Sequence, residues 1–133
     1  MSDHYDKRET RVPEAREAEL MTRLAAQVSH AQAHAPAFAE LLHDVDAATV
    51  LSRTALARLP VTRKHELLER QKALRASDVF GGYSAIGWGA AARAGGGALR
   101  VFASPGPIYE PEGRGADYWR MGRALHAAGF RAG

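Results

Sequence analysis

The sequence contains no cysteine, which excludes a disulfide framework and a thiolate metal site. It has no apolar run approaching the length of a membrane span. Its opening stretch, MSDHYDKRETR, is polar where a secretory leader would have an apolar centre. Nor is there a block of like charge. The 18 Lys and Arg are interleaved with 15 Asp and Glu, for a formal net charge of +3, which is the pattern of solvated helix faces rather than a nucleic-acid footprint. No internal repeat is present, and no glycine-rich stretch is followed by the Lys-Ser/Thr pair of a P-loop. What remains is a chain of 133 residues, 46% hydrophobic and 25% charged. That is enough for one domain, burying roughly two-thirds of its extended-chain surface. These readings place it in the cytoplasm, without a membrane or nucleic-acid partner.

Residues 1–12 read as a polar arm. From Pro13 a helix is expected, with Pro13 in its first turn and Glu14, Glu17 and Glu19 near the positive end of the dipole. Leu20, Leu24, Val28, Ala31, Ala35 and Phe38 recur at steps of three and four and form one apolar stripe. Pro36 ends or kinks this helix, and Phe38–Leu42 continues as a short second one. Ser52 is a cap for a short helix with Leu56 and Leu59 inward, stopped by Pro60. Thr62 is the expected cap of the next, RKHELLERQKAL, with Leu67, Leu68 and Leu74 toward the core. Residues 13–76 are therefore a helical half. Residues 80–133 change character to a strand–loop–helix pattern. LRVF, Leu99–Phe102, is the best strand and YSAI a weaker one, with Gly95–Gly97 as a turn between them. The last segment, ADYWRMGRALHAAG, is expected to be helical, with Tyr118, Met121, Leu125 and Ala128 on one face and Gly129 ending it.

The stretch FASPGPIYEPEG, Phe102–Gly113, carries the functional question. A strand, a glycine-containing loop and a helix in that order often hold phosphate, because loop and helix-start N–H groups converge on the anion. Here the helix is expected to start near Ala116. Ser104 and Arg114 suit that role. Pro105, Pro107 and Pro111 have no N–H, and Glu110 and Glu112 repel an anion, so on chemistry alone a rigid turn is the preferred reading. Elsewhere, His30 and His34 have metal-compatible spacing but no third ligand nearby, and two solvated histidines are the simpler reading. Tyr118 and Trp119 are expected as core anchors in preference to stacking residues. Arg63 and Lys64, in a helix first turn where the dipole disfavours cations, are expected to be simply exposed.

Four stretches in order resemble the N-terminal part of the phenylacetate–CoA ligase family, within the adenylate-forming (AMP-binding) enzymes. HAQAHAPAFAELL is similar to the family's early helix running into Pro-aromatic. SRTALARLPVTRKHELLERQ is similar to its helix, Leu-Pro, Thr/Lys, helix passage. RVFASPGPIYEPEG stands where the family has its Ser-Ser-Gly-Thr-Thr-Gly-x-Pro-Thr/Lys loop, and DYWRMGRALHAAGFRAG is similar to the helix beyond it. The resemblance covers about residues 5–133. It implies an α/β architecture, mostly helical in this part: residues 13–133 as the N-terminal part of an AMP-binding domain, incomplete. It also implies an enzyme that joins an aryl or acyl carboxylate to ATP and passes the acyl group to coenzyme A, with Mg²⁺ accompanying the ATP. By position, Ser104, Gly106 and Pro111 are the ATP-phosphate loop, and Tyr109 is a substrate-pocket wall. Pro107 and Ile108 stand in place of the two threonines, Tyr109 in place of the second glycine and Glu112 in place of Thr or Lys. The family's adenine-side motif, ribose-binding Asp and C-terminal catalytic Lys lie further on than 133 residues reach. The chain is therefore expected to be a fragment or truncated product with no catalytic and no metal-ligating residue of its own, binding no cofactor tightly and turning over nothing alone. A non-catalytic remnant or small helical interaction module is the alternative, and a homodimer is compatible with either.

Overall fold

The computed structural model describes residues 3–88 and 96–131. Its helical half is bounded by local chemistry. Helix α1 spans Pro13–His34, with proline at its first position and Glu14 in its first turn. It stops because Pro36 disfavours a helical residue before it, and Ala35 is extended at φ −121°, ψ 106°. Helix α2 is Pro36–Leu41. A 3₁₀ turn, Ala47–Thr49, is held by the Asp46 side chain accepting the Ala48 N–H. Helix α3, Arg53–Leu56, is capped as expected by Ser52, whose Oγ accepts the Ala55 N–H at 3.1 Å. Val28, Leu42 and Val50 are buried together, with Leu24, Phe38, Val45, Ala47, Ala55 and Leu59 packed around them. Gln32 closes this unit. Its Nε2 donates to the carbonyls of Leu42 and Val45, both at 2.8 Å, and so ties α1 to the turn that follows α2.

Three expectations need correction here. Leu20 is 46% exposed, and Leu56 is exposed too. The apolar packing on α1 starts at Leu24, the contact of α3 with α1 near Leu20 being the Arg53–Glu17 ion pair, and α3 is a single turn whose Leu56 stays outside the cluster while Leu59, beyond its end, packs into it. Helix α4 spans Lys64–Ala73 and begins after Arg63, not Thr62. Glu66 reaches back to accept the Arg63 N–H at 3.1 Å, and this return contact fixes the start of the helix.

After α4 the chain turns back over it. The Asp78 carboxylate accepts the N–H groups of Phe80 and Gly82 at 3.0 and 3.1 Å. Phe80 is driven inward until only 1% is exposed. Gly81 lies at φ +63°, and a Cβ there would come within 3.0 Å of the Gln71 nitrogen, so backbone packs directly on backbone. Arg70 fixes the junction, giving its Nε to the Gly81 carbonyl at 2.8 Å and its two terminal nitrogens to Glu40 at 2.7 and 2.9 Å. The Gly82 carbonyl in turn accepts the Ala37 N–H at the start of α2.

The sheet has two antiparallel strands: β1, Arg100–Ser104, and β2, Ile108–Glu112, in register from Arg100↔Glu112 to Ser104↔Ile108. The expected strand–loop–helix is thus a strand–turn–strand. Pro105, Gly106 and Pro107 make a tight turn, and Ile108 and Tyr109, both good strand formers, carry the chain back along β1. No strand forms over YSAI, and Gly95 of the expected glycine turn lies outside the described residues. The fold is a small, helix-rich mixed α and β arrangement. No described helix is long and apolar enough to cross a membrane.

The final helix, α5, is only Gly122–Ala127. Asp117 and Arg120 adopt left-handed backbone conformations, at φ +50° and +55°, which break any helix through Tyr118 and Trp119. Asp117 then accepts the Gly122 N–H at 3.0 Å and starts α5 instead. The expected buried face is absent: Tyr118, Met121 and Leu125 are all exposed. Gly129, at φ +98°, ends the helix where the sequence placed its stop. The polar arm is docked on α5. Asp6 pairs with Arg123, and the Tyr5 ring meets His126 edge-on at 5.7 Å.

Candidate functional site

A cleft of about 740 Å³ opens between α4, the Phe80 turn and β2. Its floor is aromatic: Phe80, and Phe38 with Tyr83 edge-on at 5.5 Å. Leu67 and Gln71 of α4 line it together with Ile108 and Tyr109 of β2. Arg63 and Lys64 stand at the lip, delivered there by the first turn of α4. The outer rim is Tyr118 and Trp119, whose rings pack edge-on at 5.1 Å, with Phe102 behind Trp119 at 5.9 Å. Trp119 is 46% exposed, so the core-anchor expectation for this pair is overturned. Gly113 is what lets Tyr118 down onto the strand end, since a Cβ at that position would stand 2.7 Å from Tyr118 Cε2.

The wall at Tyr109 is held by a side chain that acts as a strand. Gln71 is 4% exposed. Its Oε1 accepts the Tyr109 N–H, and its Nε2 donates to the Tyr109 carbonyl, each at 2.9 Å. Both main-chain groups of Tyr109 therefore point away from β1. By the two-residue alternation of a strand, Pro111 faces outward as well, so its missing N–H costs the hairpin nothing. Arg75 donates to the Tyr109 hydroxyl at 3.0 Å and fixes the far end of the ring.

Of the residues singled out from sequence, Ser104, Tyr109 and Pro111 line the cleft. Gly106 does not. It sits at the exposed hairpin tip with φ +150°, a conformation glycine alone adopts readily. The Ser104 hydroxyl reaches only the Ile108 carbonyl, at 3.5 Å. Gln71 and Phe80 were not anticipated. Gln71 had a readable signal: it lies four residues after Leu67 and three before Leu74, a polar residue on the apolar face of its helix.

Chemically the cleft suits a flat apolar group with an anionic end. Among the described residues lining it there is no histidine, and its one carboxylate is Glu110. The carboxylates held below their ordinary range are Asp6 by Arg123, Glu17 by Arg53 and Glu40 by Arg70, each chiefly through hydrogen bonds from the guanidinium. All three lie outside the cleft. His30 and His34 stack at 4.5 Å, and no group of three or more potential metal ligands occurs among the described residues. At a significant level the chain matches no protein-family model, no curated protein and no solved structure.

Proposed function

We propose that this chain is the N-terminal portion of an ATP-dependent aryl- or acyl-CoA ligase of the phenylacetate–CoA ligase type, and that its part in that enzyme is to bind rather than to react. One observation carries the reading: Ser104 and Pro111, two of the three positions matched to the family's loop, and Tyr109, the expected pocket wall, line the same aromatic cleft as Arg63 and Lys64. Aromatic rings take an aryl group, and the two cations take a carboxylate or phosphate. The residues fit a phosphate through Arg63 and Lys64 better than through the hairpin turn, where Pro105 and Pro107 offer no donor. ATP, with its Mg²⁺, and coenzyme A would supply the activation and the thiol acceptor in the full reaction. This chain contributes the surface that holds and shields the acid.

Titration of the full chain with phenylacetate and with ATP, read by tryptophan fluorescence at the Trp119 rim, tests this. Saturable binding of phenylacetate that is lost in Lys64→Ala with Arg63→Ala supports the reading, and absence of saturable binding of either ligand overturns it. Pyrophosphate release from this chain with ATP, coenzyme A and phenylacetate is expected to stay at blank. A second reading, a non-catalytic interaction module, is favoured by the loop's own substitutions. Pro107 and Ile108 remove both threonine hydroxyls, and the stretch closes into a hairpin. Folding without any ligand binding is the result that would select it.

A further inference from the structure

Away from the cleft, four guanidinium side chains converge where the arm meets α1 and α5. Arg8, Arg11, Arg16 and Arg123 line a second cavity of about 300 Å³, together with Glu9. They come from three separate parts of the chain, and an anion placed among them would relieve their mutual repulsion. The carboxylates nearby are already committed. Asp6 takes Arg123 and accepts the Arg8 backbone N–H at 2.9 Å. Glu19 is shared between Arg11 and Arg23. Glu9 accepts the Tyr5 N–H at 2.8 Å and lies 3.7 Å from His4. Among the described residues no carboxylate is within ion-pair distance of Arg8 or Arg16. Arg16 also stands in the first turn of α1, where the helix dipole adds to the positive field. An independent observation points the same way: the Nε of Arg123 is buried with no hydrogen-bond acceptor, a donor that is costly to leave unmatched.

We propose that Arg8, Arg11, Arg16 and Arg123 form a binding site for a multiply charged oxyanion, a phosphate or pyrophosphate group, which clamps the N-terminal arm onto α5. Guanidinium forks suit such a group because each presents two parallel donors to its oxygens. The unpaired forks of Arg8 and Arg16 are free to bind it, while Arg11 and Arg123 keep their carboxylates and supply field and remaining donors. The shared chemistry is phosphate. Free inorganic anion and the phosphate end of a nucleotide are separate sources.

The test uses the full chain with sodium phosphate, sodium pyrophosphate and ATP in parallel at constant ionic strength. Binding is followed by amide chemical shifts, and arm docking by hydrogen exchange at residues 4–11. The expected result is saturable pyrophosphate binding with shifts at residues 5–16 and 122–126, slower exchange in the arm, and at those residues a loss of about tenfold or more in Arg8→Ala with Arg16→Ala, in keeping with charge-assisted hydrogen bonds. Equal binding by pyrophosphate and ATP identifies the phosphate group itself as the ligand. Tighter binding by ATP, lost in the same variant, identifies a nucleotide. Pyrophosphate binding that survives the double substitution, or shifts at residues 62–64 in place of the arm, overturns the proposal. The cleft reading is scored separately, by phenylacetate binding at the Tyr118–Trp119 rim, so failure of the cleft reading and failure of this one are distinguishable.

Discussion

The helical half and the hairpin half of this molecule are built by different means. From Pro13 to Leu59 each element is started or stopped by a residue within a turn of it, and the apolar cluster fills in behind. From α4 onward the decisive contacts span long stretches of chain: Gln71 to Tyr109 across 38 residues, Arg75 to Tyr109 across 34, Arg70 to Glu40 across 30. A region set by local signals tolerates loss of any one of them, since its neighbours persist. A region set by distant contacts depends heavily on a few side chains. Phe80 is the first of these, the largest fully buried side chain described. Phe80→Ala is expected to cost about 3–5 kcal/mol, in the range for a core phenylalanine truncation. Val28→Ala in the helical cluster is expected to cost less, because it removes fewer atoms. Urea unfolding of both variants checks this, and equal losses would erase the contrast.

Gln71 sharpens the comparison. Gln71→Leu fills the space but leaves the Tyr109 N–H and carbonyl without partners, which is expected to cost about 1–3 kcal/mol for buried unsatisfied polar groups. The distinguishing readout is local. Hydrogen exchange at the Tyr109 amide should rise sharply, while amides of α1 follow only the global change. If exchange rises equally across both halves, Gln71 is a general packing residue and the strand analogy fails.

What was legible in the sequence follows the same division. Pro13, Pro36, Ser52 and Gly129 each marked a boundary that the structure keeps, because capping and chain-stopping act over a single turn. On sequence the hairpin reads as a loop, because its prolines look like loop residues. Pro111 in fact lies within β2, on the edge facing away from β1, and only the pairing partner reveals that edge. The helix through Tyr118 failed for a similar reason. Its apolar period is present, but Tyr118, Met121 and Leu125 stay exposed, and left-handed Asp117 and Arg120 interrupt it. Ser104, Tyr109 and Pro111 were found at the cleft, whereas Gln71, Phe80 and the converging arginines needed three-dimensional proximity to be noticed.

A smaller effect is expected from the local side of the contrast. Ser52→Ala removes the Oγ that accepts the Ala55 N–H and should cost about 1 kcal/mol, the usual worth of an N-cap. Thermal unfolding should register it without changing exchange at Tyr109.

The smallest effect concerns the ion pairs that stitch the parts together, Glu40 with Arg70 and Glu17 with Arg53. Hydrogen bonds from arginine hold both carboxyls below their ordinary range in the folded state. A carboxyl with a depressed folded-state pKa stabilises the fold above its unfolded value, near about pH 4.3 for glutamate, and loses that contribution as pH falls through the lower folded value. The wild-type melting temperature should therefore hold level from pH 7 to about pH 5, then fall as the pairs protonate. These groups are solvent-exposed, so the change should be modest and weakened by salt. In Glu40→Gln the neutral-pH value should drop slightly and the acid fall become shallower, since one titrating partner is gone. Arg70 keeps its bond to the Gly81 carbonyl in that variant. An acid limb identical to wild type in Glu40→Gln would show that the junction between the two halves is held by Arg70 and the glycine backbone alone, and not by its charge.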